Sequence, residues 1–249
     1  MFKFNKEEHY YELDGKRLYG VTTVLGVIAK PALIPWAVKM ATDYIESHVV
    51  TGHYNLSTKV GSIEFDMAFN DLIKEAKSAH RKKKESAGEI GTDSHSLIED
   101  YVKECLRRNE GIALAHSVNE NQMVSNFVQW AMDNEVRFLA SEKQLYSESM
   151  WCAGTTDLVL EMKGKKYIGD VKTSSAIYPE HFYQMAGYRA MLEEMGETNF
   201  DGSVVIRIGK DGKFNEDKDV QYRYDYKTDL EAFLGALAIF KAGETYKVK

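Results

Sequence analysis

Residues 155–174 read TTDLVLEMKGKKYIGDVKTS, and this stretch decides the fold. Its halves, TTDLVLEMK and KKYIGDVKTS, are rich in Tyr, Val and Ile, residues that fit a pleated, half-buried surface. MKGKK between them is a short turn, so the two strands form a hairpin that brings Asp157 beside Asp170. Side chains alternate across a strand. Asp170 and Lys172 therefore share one face, while Val171 points into the core and leaves its carbonyl at the edge of that face. Two carboxylates and a lysine are costly to hold together unless something uses them. A hard divalent cation is such a use, because Mg²⁺ takes one or two carboxylates together with waters and phosphate oxygens. The bare triplet Asp-x-Lys is common on surface strands, so the weight rests on what surrounds it.

Outward from the hairpin, KQLYSES (143–149) is a strand before it. A helix follows at about 180–195, then a strand at GSVVIRIG (202–209) and a closing helix at DLEAFLGALAIFKAGE (229–244). Helix, three strands, helix, strand, helix is an α/β (α+β) order: an antiparallel meander, then a crossover. Upstream, YYELDGKRLYGV (10–21) reads as a hairpin about Asp14-Gly15. IPWAVKMATDYIESH (34–48) has Trp36, Met40 and Tyr44 at helical spacing. A helix over about 62–85 ends in the basic run Arg81-Lys82-Lys83-Lys84, and a break is expected at Ala87-Gly88 and Gly91. Thr92 or Asp93 then caps a helix through SHSLIEDYVKECLRR, which places His95 in its first turn. Another helix covers about 119–139. This organisation gives an N-terminal accessory segment, 1–85, mostly helical, packed on a core, 86–249, as one structural unit.

Taken in order, GTDSH (91–95), GTTDLV (154–159), GDVKTS (169–174) and QMAGY (184–188) resemble the PD-(D/E)XK nuclease superfamily, and most closely its RecB-like exonuclease branch with stand-alone phage members. VTTVLGVIAKPALIPWA (21–37) is similar to the opening segment of phage members. The resemblance implies a restriction-endonuclease-like core, a central mixed sheet flanked by helices. It makes Asp157 the first acidic residue, preceded by Thr156 rather than proline, Asp170 the second, and Lys172 the lysine. It adds the Val171 carbonyl and His95 as metal ligands, and Glu142 at the first strand. Gln184 and Tyr188, four apart on one helix face, join Asp157, Asp170 and Lys172 in the catalytic set. Glu99, one turn after His95, reads as a solvated residue or an outer support.

The implied activity is Mg²⁺- or Mn²⁺-dependent exonucleolytic hydrolysis of DNA in recombination, repair or phage DNA metabolism. A structure-specific endonuclease of the same fold and a non-catalytic DNA-binding subunit are the alternatives. DNA is the expected partner, with a recombinase or helicase beside it; the chain has no phosphate-loop motif of its own. Arg81, Lys82, Lys83 and Lys84 are candidates for backbone contacts, although charge runs are usually solvated faces. Trp36, Trp130 and Trp151 read first as packing.

A net charge of −6 counts mildly against a nucleic-acid binder. Local basic surface and a carboxylate-rich metal site are compatible with it. Two cysteines, Cys105 and Cys152, cannot hold the four-cysteine iron–sulfur cluster of some branch members, so no such cluster is expected. With 44% apolar and 28% charged residues, no long apolar stretch and a charged N-terminal segment, the expected place is the cytoplasm, away from membranes, and the resemblance implies a bacterial or phage-encoded protein.

Overall fold

Three antiparallel strands, β5 (Arg137–Ser147), β6 (Cys152–Met162) and β7 (Lys165–Lys172), make the expected meander. The turn between the last two uses Lys163 and Gly164, both at positive φ. Helix α5 (Pro179–Glu194) then crosses over to β8 (Gly202–Arg207), which lies parallel to β7. The short helix α6 (Glu216–Asp219) leads to β9 (Val220–Arg223), antiparallel to β8, and α7 (Lys227–Thr245) follows. These coordinates are a computed structural model that describes residues 1–50, 60–115 and 121–246.

The N-terminal residues add what the sequence reading did not resolve. The expected hairpin about Asp14-Gly15 is present as β2 (Tyr10–Leu13) and β3 (Lys16–Arg17), and β1 (Phe2–Asn5) completes a three-stranded sheet. A two-residue strand, β4 (Tyr19–Gly20), pairs in parallel with β6 at Cys152 and Ala153, and a five-residue helix, α1 (Val21–Leu25), follows.

The mixed sheet buries both faces. Leu158, Leu160, Val171, Val204 and Ile206 pack with Val102, Cys105, Phe127 and Trp130. Val159, Ile168 and Val205 pack on the other side with Met185 and Met191 of α5 and Phe233 of α7. The alternation along β7 assigns Val171 to the first layer, as its parity requires. The fold is thus an α+β core with a central mixed sheet flanked by helices. Helix α4 (Gln122–Asp133) buries Met123, Val124, Phe127, Val128 and Ala131 along one stripe. Asn121 caps it by accepting from the Met123 N–H at 3.0 Å. The expected start of that helix, at 119–120, lies outside the described residues, and its expected end, at 139, is already strand β5.

Two expectations are corrected. First, no break occurs at Ala87-Gly88 or Gly91: one helix, α3, runs Ile63–Arg108, so nothing caps a new helix at Thr92 or Asp93. A helix-interior glycine costs only about 1 kcal/mol, and no proline accompanies these two. Second, the 85/86 boundary does not divide the molecule. One compact unit holds Met1–Ile28 with Asp93–Lys249; the other is the inserted segment Ala29–Thr92. The first 28 residues join the sheet because Phe2 stacks on Tyr146 at 4.7 Å, Tyr11 bonds Thr155, and β4 pairs with β6. Within the inserted unit, α2 (Leu33–Val50) carries Trp36, whose ring meets His80 edge-on at 6.5 Å.

Phe127 is fully buried between Tyr101, Trp130 and Phe138. Phe127→Ala is expected to lower unfolding free energy by about 3–5 kcal/mol in urea denaturation; a loss under 1 kcal/mol would contradict this packing.

Candidate functional site

The site opens where the second edge of β6 loses its neighbour. Strand β5 covers one edge of β6 along most of its length. On the other edge β7 pairs with Leu158–Met162 and β4 with Cys152–Ala153, so Gly154–Asp157 has no partner strand there. The β6–β7 register ends at Leu158↔Gly169; one step further, Asp157 comes opposite Asp170. The Asp157 side chain takes over at that point, with Oδ2 accepting the Val171 N–H at 2.8 Å.

Asp170 is buried, and among the described residues Lys172 alone is placed to serve its carboxylate oxygens. Lys172 Nζ lies 2.5 Å from Asp170 Oδ2, a close ion pair. Lys172 Nζ also donates to Gln184 Oε1 at 3.3 Å, and Gln184 Nε2 donates to the Tyr188 hydroxyl at 3.0 Å. The amide is thereby held with its oxygen toward the lysine. Tyr188 in turn presses on Gly154, where a Cβ would collide with the tyrosine ring. That contact explains why the motif opens on glycine.

Glu142 reaches the site through strain. Its flanking pairs, Ser141↔Leu158 and Lys143↔Thr156, put it opposite Asp157, but its φ is 47°, the left-handed region that costs an L-residue energy and re-aims its side chain. Across from the sheet, the unbroken α3 places His95 in a helix interior, not in a first turn. His95, Glu99 and Lys103 then recur at i, i+4 and i+8 on the face that lines the site. His95 Nδ1 is 3.8 Å from Asp157 Oδ2, and Glu99 pairs with Lys103. Glu99 is part of the wall, more than the solvated residue its sequence position suggests.

The walls enclose a cavity of about 920 Å³. It includes Asp157, Asp170, Lys172, Gln184, Tyr188 and His95, and extends to Tyr10, Tyr11 and Arg17 of the N-terminal sheet. The sequence reading missed this contribution of the hairpin; its Tyr-rich strand was the available signal. Tyr11 hydroxyl and Thr155 Oγ1, 2.8 Å apart, join the two parts. Trp151 donates its indole N–H to the Arg17 carbonyl at 3.1 Å, and Trp130 is core.

The electrostatics are those of crowded carboxylates. Burial raises the Glu142 carboxyl to about 7, helped by the charges of Asp157, Glu99 and Asp170. Burial lifts Asp170 to about 6 against the opposing pull of Lys172, and lifts Asp157 above its ordinary range. For Lys172 burial acts downward, but Asp170 and Asp157 outweigh it and keep the ammonium charged. Burial lowers His95, partly offset by the Asp170 charge, so its ring is neutral near pH 7.

Among the described residues, no group of three or more His, Cys, Asp and Glu side chains is arranged to hold a metal ion as the structure stands. The donor set nevertheless suits one: the buried Asp170 oxygens have Lys172 as their partner among the described residues, with Asp157, His95 and Glu142 around them. Arg81 to Lys84 lie in the inserted unit, where Lys82 pairs with Glu75 and Arg81 with Glu85 at 3.9 Å. Cys105 and Cys152 are buried free thiols. No helix among the described residues is long and apolar enough to cross a membrane.

No family model and no curated protein matches the chain. The solved structure of SSO0001 matches with a TM-score of 0.27 and 11% identity, over 60% of this chain and 87% of that one, a likeness too slight to carry an argument.

Two outcomes follow from the site's packing and charge. Gly154→Ala is expected to displace Tyr188 and cost about 1–3 kcal/mol of stability, with a new environment for Tyr188 in its aromatic NMR signals; unchanged Tyr188 signals would refute the close contact. A carboxyl whose folded pKa is raised holds its proton more tightly when folded, so stability falls as pH rises from the unfolded value through the folded one. For Asp170 and Glu142 that window runs from the ordinary carboxyl range to about 6 and about 7. In chelator, the melting temperature should therefore drop between pH 5 and pH 8, and Glu142→Gln should flatten the drop; a parallel drop in the variant would argue against a strained Glu142.

Proposed function

We propose that the chain is a metal-dependent deoxyribonuclease that hydrolyses DNA phosphodiester bonds from an end. The observation that carries the reading is the crowding of Asp170, a fully buried carboxylate, against a second carboxylate, Asp157, with one ammonium, Lys172, to serve both. One ammonium offsets one of the two acids, and the second buried negative charge is costly unless a further cation joins them. The resemblance of GTDSH, GTTDLV, GDVKTS and QMAGY to the RecB-like branch supports the same reading.

Asp157, Asp170, the Val171 carbonyl and His95 would hold Mg²⁺ or Mn²⁺, with Glu142 close enough in charge to join them. The chemistry supplied by the bound cation is Lewis acidity toward a phosphate oxygen and a lowered pKa for water. The protein's own groups do the rest. Lys172 keeps a charged ammonium that donates to the attacking water or to a phosphate oxygen, where negative charge grows in the transition state. Gln184 fixes the direction of that ammonium, and Tyr188 fixes Gln184, so both are positioning residues. Neutral His95 offers a ring nitrogen toward Asp157 without adding charge. Placement in recombination, repair or phage DNA metabolism, with a recombinase or helicase partner, goes with this proposal.

The test is digestion of end-labelled linear DNA and a closed circle with Mg²⁺ and with chelator. Linear DNA should be degraded from its ends only with Mg²⁺, and the circle spared. Asp170→Asn should lose about 10³-fold in rate, the scale of several kcal/mol of transition-state charge stabilisation. Lys172→Ala should lose about 10²–10³-fold. Full Mg²⁺-dependent cleavage by Asp170→Asn would overturn the proposal, and cleavage of the circle would move it to an endonuclease.

A further inference from the structure

The N-terminal sheet is not needed to build the carboxylate cluster, yet it supplies a wall of the same cavity. Phe4, Lys6, His9, Tyr10, Tyr11 and Arg17 all line it. This wall is fastened to the core at several points. Phe2 stacks on Tyr146, Tyr11 bonds Thr155, the Trp151 indole holds the Arg17 carbonyl, and the Tyr19 N–H donates to the Trp151 carbonyl at 3.2 Å. A segment pinned in this way presents its side chains at fixed positions relative to Asp157 and Asp170.

Its chemistry differs from that of the rest of the cavity. The helix and sheet walls carry Glu99, Glu142, Asp157 and Asp170, and two of their cations are committed: Lys103 to Glu99, Lys172 to Asp170 and Gln184. The hairpin wall is aromatic and basic. The Arg17 guanidinium lies over the Tyr10 ring, 4.0 Å from its centre, and its only ion pair among the described residues is with exposed Glu8 at 3.4 Å. Lys6 is exposed and makes no ion pair with the described residues. An aromatic ring with a guanidinium against it, and an ammonium on the same wall, matches an unpaired base with its flanking phosphate: the base stacks and the cations neutralise. The cavity volume is at the upper end of small-ligand pockets, about 300–1,000 Å³, room for a few nucleotides of one strand.

We propose that the β1–β3 sheet is a binding wall for single-stranded DNA, with Tyr10 and Arg17 stacking on a base and Lys6 contacting a phosphate, next to the carboxylate site. The proposal rests on the nuclease reading for its biological sense, but its test does not depend on cleavage. A fluorescein-labelled single-stranded 12-mer of mixed sequence is titrated with the full chain in chelator at low salt and followed by anisotropy. Tyr10→Ala and Arg17→Ala should each weaken binding about tenfold, and Tyr10→Phe, which keeps the ring, should stay within about twofold of the parent. Lys6→Ala should reduce the slope of log affinity against log salt by about 0.7, the value for one phosphate contact on a single strand. A duplex of the same sequence should bind more weakly and without dependence on Tyr10.

Failure of the parent chain to bind the 12-mer, unchanged binding by both alanine variants, or equal Tyr10-dependent binding of the duplex would each overturn the proposal. Arg17 is exposed, so its variant tests the wall even if Tyr10→Ala perturbs the hairpin. If Mg²⁺-dependent cleavage is seen while the hairpin variants bind normally, the wall is refuted and the nuclease stands. If strand binding follows Tyr10 and Arg17 while no cleavage occurs with any divalent cation, the nuclease reading fails instead.

Discussion

The contact between the Asp170 carboxylate and the Lys172 ammonium is the constraint around which the site is organised. Both side chains leave the same face of β7, which otherwise packs Ile168 against α5 and α7. That face passes from Ile168 to Asp170, both fully buried, so the charged pair begins inside the protein. The protein manages this by ending the β6–β7 ladder at Leu158↔Gly169 and opening a cavity beyond it. The lysine compensates one charge, while the second acid, Asp157, finds its donor in the Val171 N–H. The balance is incomplete, since one ammonium faces two acids and the Glu142 carboxyl is driven up to about 7.

Local backbone features converge on the same few residues. Gly154 is required by the Tyr188 ring, and Glu142 sits at positive φ where β5 passes Asp157. Each would be unfavourable in an ordinary sheet. Together they admit a tyrosine from α5, itself part of the core, and place a carboxylate on the cavity wall beside Asp157. The order of support is plain from the hydrogen bonds: Gly154 makes room for Tyr188, Tyr188 orients Gln184, and Gln184 aims Lys172.

The meander, the crossover to β8 and the pairing of Asp157 with Asp170 were legible because period-2 alternation and a short turn determine register locally. Asp170, Lys172 and the opposed Val171 follow from parity alone. Less was legible where long-range contacts decide. Ala87, Gly88 and Gly91 look like a helix break, but local glycine penalties are small against the cooperativity of a helix 46 residues long. Strands β1, β4 and β9 are two to four residues each, too short to show periodicity; β4 and β9 add to the longer strands β6 and β8, and β1 to the hairpin strand β2. Glu142 could be named from its strand, but not the left-handed backbone it adopts there.

The unbroken helix changes what His95 can do. At a helix start, its ring would be placed by a flexible cap and could swing past the end. In the interior of α3 its direction is set by the helix, one turn from Glu99 and two from Lys103. The three residues act as a rigid stripe facing the sheet, so the 3.8 Å between His95 and Asp157 is fixed by how closely helix and sheet pack through Val102, Phe127 and Leu158. The geometry of the histidine is therefore coupled to the apolar core beneath it. The separation between imidazole and carboxylate is accordingly a property of the packed layers and not of the two side chains alone.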